Sequence, residues 1–135
     1  NETFDFITLT SLIEHINNPK LILGEINRIL KKDGLVIITT PNFRYCYKIF
    51  YDDPTHVKPY TKKAIERLLH MNEFTVIKTL PFLVNKSDLF WRLPYAFKIA
   101  SMLPFKNHQF KNNFLIPNFL KGKSTAMTIV AKKKK

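Results

Sequence analysis

Glycine is scarce in this 135-residue chain: Gly24, Gly34 and Gly122 are all it has, and no G-x-G occurs. A turn that wraps its backbone closely around a nucleotide needs such glycines, so no segment here supplies that kind of cradle. Cysteine is reduced to Cys46, which excludes an internal disulfide framework and suits a reducing, cytoplasmic compartment. No apolar run approaches the ~18 residues that span a bilayer, and the first residues show no signal-peptide pattern. Acid is short as well: 10 Asp and Glu stand against 22 Lys and Arg, for a net charge of +12. The excess lies in residues 42–135 at +13, while residues 1–41 are near neutral at −1. A basic surplus can mark nucleic acid or an anionic membrane as partner. No RNP-like or helix-turn-helix pattern accompanies it, which argues against nucleic acid and for a solvated basic surface. With 45% hydrophobic residues, the length suffices for one domain with a real core.

What is present is a strand–turn–helix–strand unit in residues 4–42. Phe4, Ile7 and Leu9 form a short apolar run that stops at Thr10 and Ser11, the length of a buried strand. Asn18 is placed to cap a helix whose first residue is Pro19, where the missing N–H costs nothing. Ile22, Ile26, Ile29 and Leu30 recur at helical spacing, Lys31 and Lys32 suit a last turn, and Gly34 is expected to take a left-handed stop. Leu35–Thr40 is β-branched and nearly continuous in apolar character, which predicts a strand covered on both faces and ended by Pro41. Two buried strands joined through a helix make a right-handed parallel crossover, hence an α/β sheet. Thr61 caps a second helix striped by Ile65, Leu68 and Leu69, with Asn72 available for its left-handed end. Phe74–Leu80 and Ser124–Ala131 read as two further strands.

Chemistry in open α/β sheets gathers outside the carboxyl ends of parallel strands. Thr10, Ser11, Leu12, Glu14 and His15 follow the first strand, and Pro41 and Asn42 the second, so both groups belong to that rim. Adjacent Glu14 and His15 suit a polar substrate, a proton relay or two ligands of a divalent ion; packing and backbone capping are the plain alternative. The DDPTHVKPYT loop, bracketed by Pro54 and Pro59, concentrates Asp52, Asp53, His56 and Tyr60. If it folds onto the rim, His56 is the best placed general base; otherwise it only shapes the loop.

These elements resemble the second half of a class I S-adenosylmethionine-dependent methyltransferase domain. FDFITLTSLIEHI, INRILKKDG and LVIITTPN are similar to that family's fourth strand, the approach to its fifth, and the fifth itself. DPTHVKPYT, IERLLHMNEFTVIKTL and TAMTIVAKK resemble the following loop, the last helix with the sixth strand, and the seventh, antiparallel strand. The resemblance covers roughly residues 3–80 and 124–133 and implies a partial Rossmann-like sheet, strands 4-5-7-6 with the last one antiparallel, flanked by helices. It reads as a C-terminal portion of one domain, without the family's glycine-rich cofactor turn. It implies S-adenosyl-L-methionine as cofactor, met here by Leu9, Thr10, Ser11 and Leu12, and inactivity of these residues alone. His56 and His15 would be catalytic, with Glu14, Asn42, Tyr60 and Trp91 toward a small or lipid-like methyl acceptor, methylated at oxygen. Some members hold a metal at this turn with an additional acid; Thr10 and Ser11 stand there instead, and no metal is assigned.

Residues 82–121 read as a variable lid or cap: two short aromatic helices broken by Pro94 and Pro104, then a loop with Gly122 at a turn. Core cover, an acceptor lid and a peripheral membrane contact remain open for it. The closing KKKK is expected to be a solvated tail. The alternative to an enzyme is a basic, non-catalytic α/β module that binds a membrane surface or a protein partner. In an isolated chain the first strand would be an exposed apolar edge, an aggregation hazard.

Overall fold

The computed structural model describes residues 2–82, 95, 102, 105–106, 121–123 and 125–134. Strand β1 (Phe4–Thr10) leads through helix α1 (Pro19–Ile29) into β2 (Leu30–Pro41). A one-turn helix α2 (Phe43–Cys46), helix α3 (Lys62–Met71) and strand β3 (Phe74–Phe82) follow. Strands β4 (Phe105–Lys106), β5 (Lys121–Lys123) and β6 (Ala126–Lys133) complete the set. The main sheet has the order β1-β2-β6-β3. β1 and β2 are parallel, and β6 runs antiparallel to both of its neighbours. The expected spatial order, with the last strand antiparallel and set between the two before it, is therefore the observed one.

One core holds this together. Leu23 and Ile26 of α1, Ile65 and Leu69 of α3, and Val36, Ile38, Met127, Ile129 and Ala131 of the sheet are buried in a single cluster. Both helices therefore cover the same face. On β2 Val36, Ile38 and Thr40 are buried; on the opposite face Thr39 is buried while Leu35 and Ile37 are half-buried. The expectation of a strand covered on both faces is thus met in full on one face and in part on the other, where Leu35 and Ile37 stay half-buried. Among the described residues β1 pairs only with β2, and Phe4 and Phe6 are 49% and 64% exposed, the apolar edge anticipated from the strand order.

Several local expectations are corrected. Asn18 precedes Pro19, but its side chain makes no capping hydrogen bond. α1 ends at Ile29, and residues 31–34 bulge out of the ladder, where the register jumps from Phe4↔Leu30 to Phe6↔Leu35. The left-handed residue of that bulge is Asp33 (φ 66°), not Gly34. Gly34 is needed for a different reason: a Cβ there would lie 2.7 Å from Leu30 Cγ and 2.8 Å from the Lys31 carbonyl oxygen. After α3, whose cap Thr61 does accept from the Ala64 N–H, the left-handed position is taken by Glu73 (φ 64°) and not by Asn72. Asn72 instead donates its side-chain amide to the Leu68 carbonyl.

The lysine run is not a free tail. Lys132 and Lys133 belong to β6; Lys132 pairs with Asp33 and Lys133 with Glu2, and the Lys134 N–H bonds the Glu73 carbonyl. Gly122 lies in β5, paired in parallel with β4, instead of at a turn. The two helices expected within residues 82–121, and Trp91 with them, lie outside the described residues.

Candidate functional site

The carboxyl ends of β1 and β2 carry a polar cluster. Ser11 leaves β1 in a left-handed conformation (φ 48°), and its N–H stays bonded to Thr39 O at 2.9 Å. Strained backbone of this kind gathers at functional rims. The turn it makes leads into a single 3-10 turn, Ile13–His15, with Ile13 in the core and Glu14 buried behind it. The Glu14 carbonyl accepts from the N–H groups of both Val57 and Lys58, at 2.9 and 3.0 Å. Those two bonds fold the loop after α2 onto the rim. Asn42 and Tyr60 form a further bridge between the strand end and the loop end.

The side chains converge as a result. Glu14 Oε2 accepts from the Thr40 hydroxyl at 2.9 Å, whereas Oε1, equally buried, has no hydrogen-bond partner. His15 Nε2 lies 3.9 Å from that oxygen, and the His15 and His56 rings are 4.7 Å apart. His56 stacks on Phe50 at 4.5 Å, and Phe50 is buried. The aromatic segment before the loop therefore acts as a wall for the imidazole.

Tautomers follow from the partners. His56 Nδ1 faces the Phe50 carbonyl at 2.7 Å, which can only accept, so Nδ1 carries the proton. His15 Nδ1 faces the Thr55 carbonyl at 3.0 Å and the Thr55 hydroxyl oxygen at 2.9 Å; that hydroxyl already donates to Asp53. His15 Nδ1 is thus a donor too, and Nε2 of the two rings is left for Glu14 Oε1, 3.9 Å from that of His15, and Asp53 Oδ2, 3.7 Å from that of His56. The Thr55 hydroxyl and backbone N–H hold the Asp53 carboxyl below its usual range, with His56 and His15 helping less. Burial, and then the charge of Glu14, push the Tyr60 hydroxyl up from 10.0. That hydroxyl is buried with no partner.

Glu14, His15, His56 and Tyr60 therefore lie at the same end of the sheet, the first three with a nitrogen or carboxylate oxygen each within 4.8 Å of one another. Leu9 is in the core, so at the rim it offers backbone alone, while Thr10, Ser11 and Leu12 are exposed. The Asn42 side chain accepts from the Arg44 N–H and caps α2. Beside His56 lies a cavity of about 120 Å³ lined by Pro41, Cys46, Ile49, Phe50, Thr125 and Ala126. Sequence reasoning missed Thr40 and Thr55. Thr40 had a readable signal, a hydroxyl at the last buried position of a strand that ends on the rim; Thr55 had none beyond its place in the loop.

A family model described as "Methyltransferase domain" matches residues 1–79, the strands and loop that build this rim. The chain belongs to the methyltransferase domain family. Its mixed α/β fold is that of the class I, S-adenosylmethionine-dependent enzymes. A SAM-dependent methyltransferase from Archaeoglobus fulgidus superposes with a TM-score of 0.60 at 20% identity, over 98% of this chain and 60% of that one. One from Thermotoga maritima gives 0.63 at 18% identity, over 99% of this chain and 58% of that one. In sequence, the ubiquinone biosynthesis O-methyltransferase of Glaesserella parasuis serovar 5 (strain SH0165) is 44% identical over 41 residues, 30% of this chain and 17% of that protein. The chain thus matches 58–60% of the length of these two structures and 17% of the curated relative. No helix among its described residues is long and apolar enough to cross a membrane.

Proposed function

We propose that these residues form the acceptor side of an S-adenosylmethionine-dependent methyltransferase that methylates a hydroxyl oxygen of a small or lipid-like acceptor. The observation that carries the reading is the pair of imidazoles, each held at Nδ1 by a backbone carbonyl, beside the unpartnered Glu14 Oε1. In that reading the acceptor oxygen forms a bond to the methyl carbon as the carbon–sulfur bond of the cofactor breaks, its electron pair staying on sulfur. His56 Nε2 takes the hydroxyl proton, and His15 and Glu14 hold the acceptor in line. Positioning accounts for most of the rate in such a displacement; the base adds most for a poorly acidic oxygen. Glu14, Asn42, Tyr60 and Trp91 are proposed to face the acceptor. The match to an O-methyltransferase through 41 residues supports oxygen as the target.

Exposed Thr10 and Ser11, with the apolar side chain of Leu12, fit one flank of a nucleoside cofactor. No glycine-rich turn is present to hold the rest, so the chain as it stands is not expected to turn over. The test is calorimetric titration of S-adenosylmethionine into this chain and into a form carrying an added glycine-rich half-domain of roughly 100 residues. Binding by the extended form alone is the expected outcome. Binding by neither would defeat the proposal.

A further inference from the structure

We propose that the cavity beside His56 is a binding pocket for a single, uncharged aromatic ring. The binding rests on the cavity alone; only its use by a methyl acceptor rests on the methyl-transfer reading. The pocket holds about 120 Å³, and an apolar cavity of about 150 Å³ is enough for benzene. One six-membered ring therefore matches it, and a fused pair of rings exceeds it.

Two groups of side chains make the walls. Cys46, Ile49 and Phe50 are three and four residues apart, so the helical turns between residues 43 and 52 bring them to one side. Tyr47, Lys48 and Tyr51, on the other side of those turns, are exposed. The remaining wall is Pro41 and Ala126, paired across β2 and β6. The walls cannot close on each other. Phe50 is held edge-on by Phe43 at 5.4 Å and Tyr51 at 5.0 Å, and face-on by His56 at 4.5 Å, while Pro41 and Ala126 are fixed by the ladder. Protein interiors leave few voids larger than a water, so a space propped open in this way calls for an occupant.

Water is a poor one. An ordered water needs two to four polar partners. Here the Cys46 thiol donates to the Asn42 carbonyl, His56 Nδ1 donates to the Phe50 carbonyl, and the Thr125 carbonyl accepts from the Asn42 N–H. What is left on the lining is mostly carbon. An aromatic ring suits that lining better than an alkyl group of the same size, because the Phe50 ring and the polarizable sulfur of Cys46 both attract it beyond the area they cover.

Pro41, Ile49, Thr125 and Ala126 are half-buried, which leaves the pocket a mouth. In the methyl-transfer reading the acceptor is then an aryl compound held by its ring, with the reacting hydroxyl on the His56 side. Cys46 and Ala126 set the largest ring admitted.

The test is ligand-observed ¹⁹F NMR of fluorobenzene with this chain. Saturable binding at one site per chain is expected, with a Kd on the order of 1 mM for so small a ligand. Fluorocyclohexane should bind about threefold more weakly or worse, and 1-fluoronaphthalene about tenfold more weakly or worse. Ala126→Leu and Ile49→Trp, which fill the pocket from the wall and from the mouth, should each weaken fluorobenzene by about tenfold or more. Leu21→Gln, on the exposed face of α1, should leave binding unchanged. Thermal melts without probe separate a filled pocket from a lost fold, and the comparison of three probes on the unaltered chain needs no variant. Absence of saturable binding at millimolar fluorobenzene would overturn the proposal. So would equal affinity for all three probes, or binding that survives both fillings, which would place the ring elsewhere, as on exposed Phe4 and Phe6. Binding lost on filling, together with an extended form that takes up no S-adenosylmethionine, would keep the pocket and reject methyl transfer.

Discussion

Replacement of Tyr60 by Phe isolates one atom, a phenolic oxygen that is buried and makes no hydrogen bond. An unpartnered hydroxyl withdrawn from water costs about 1–3 kcal/mol. Phenylalanine keeps the ring, which belongs to the core cluster, and discards that cost. Taking the low end, because the residue is 6% exposed, Tyr60→Phe should stabilise the fold by about 1 kcal/mol, or roughly 4 °C in Tm for a chain of this size. The pH dependence supplies a second reading. The folded protein raises this hydroxyl above 10.0, through burial first and the Glu14 charge second. The folded state therefore holds the proton longer than the unfolded one. Wild-type stability should be level below pH 10 and fall as pH rises from there through the folded value, and this part of the fall should vanish in the variant. Urea melts of both proteins at pH 7 and pH 10.5 measure this. A variant less stable than wild type at pH 7 would refute the reasoning, since the hydroxyl would then have a partner, such as a bound water. If Tyr60 also faces the acceptor, the same substitution in an active form raises KM for acceptor while the fold gains, a combination that a purely structural role would not produce.

Two backbone substitutions test the corrected turns in opposite directions. Glu73→Gly should stabilise by about 0.5–1 kcal/mol, because a left-handed residue with a Cβ is strained by about 1–2 kcal/mol and glycine returns part of that as unfolded-state entropy; an unchanged or lowered urea midpoint would count against it. Gly34→Ala should destabilise by about 1–3 kcal/mol, since the new Cβ meets the Lys31 carbonyl, which is backbone and cannot step aside; a neutral result would mean that the bulge over residues 31–34 rearranges freely.

The fold was legible where hydrophobic period and punctuation agreed. β1, α1, the Leu35–Thr40 part of β2, α3 and β3 lie where apolar spacing, Pro19 and Thr61 put them, and the family resemblance ordered the sheet. What failed was local. Gly34 and Asn72 are the residue types that favour left-handed φ, yet Asp33 and Glu73 adopt it, because the register of the flanking elements decides which residue must turn. The candidate site was half legible. Glu14 and His15 are neighbours in sequence, and His56 stood out in its loop, but two backbone hydrogen bonds to the Glu14 carbonyl bring them together, and no side-chain pattern encodes those. Thr40 and Thr55 matter only as partners of groups already chosen, which sequence alone cannot rank.

The position of β6 governs how this domain can be made. It lies between β2 and β3, pairing Val36 with Ala131 and Phe74 with Lys133, so the sheet has no centre until residues 126–133 arrive. At ribosomal rates of about 5–20 residues per second, the stretch between β3 and β6 keeps two strand edges open for several seconds after β3 has emerged. Closure then joins positions far apart in sequence, the kind of pairing that folds slowly. During that interval Val36 and Ile38 on one side, and Thr75 and Lys78 on the other, offer unpaired backbone to any extended chain nearby. A short peptide copying residues 126–133 would compete for the gap before it closes, and would have no entry once the native strand is seated.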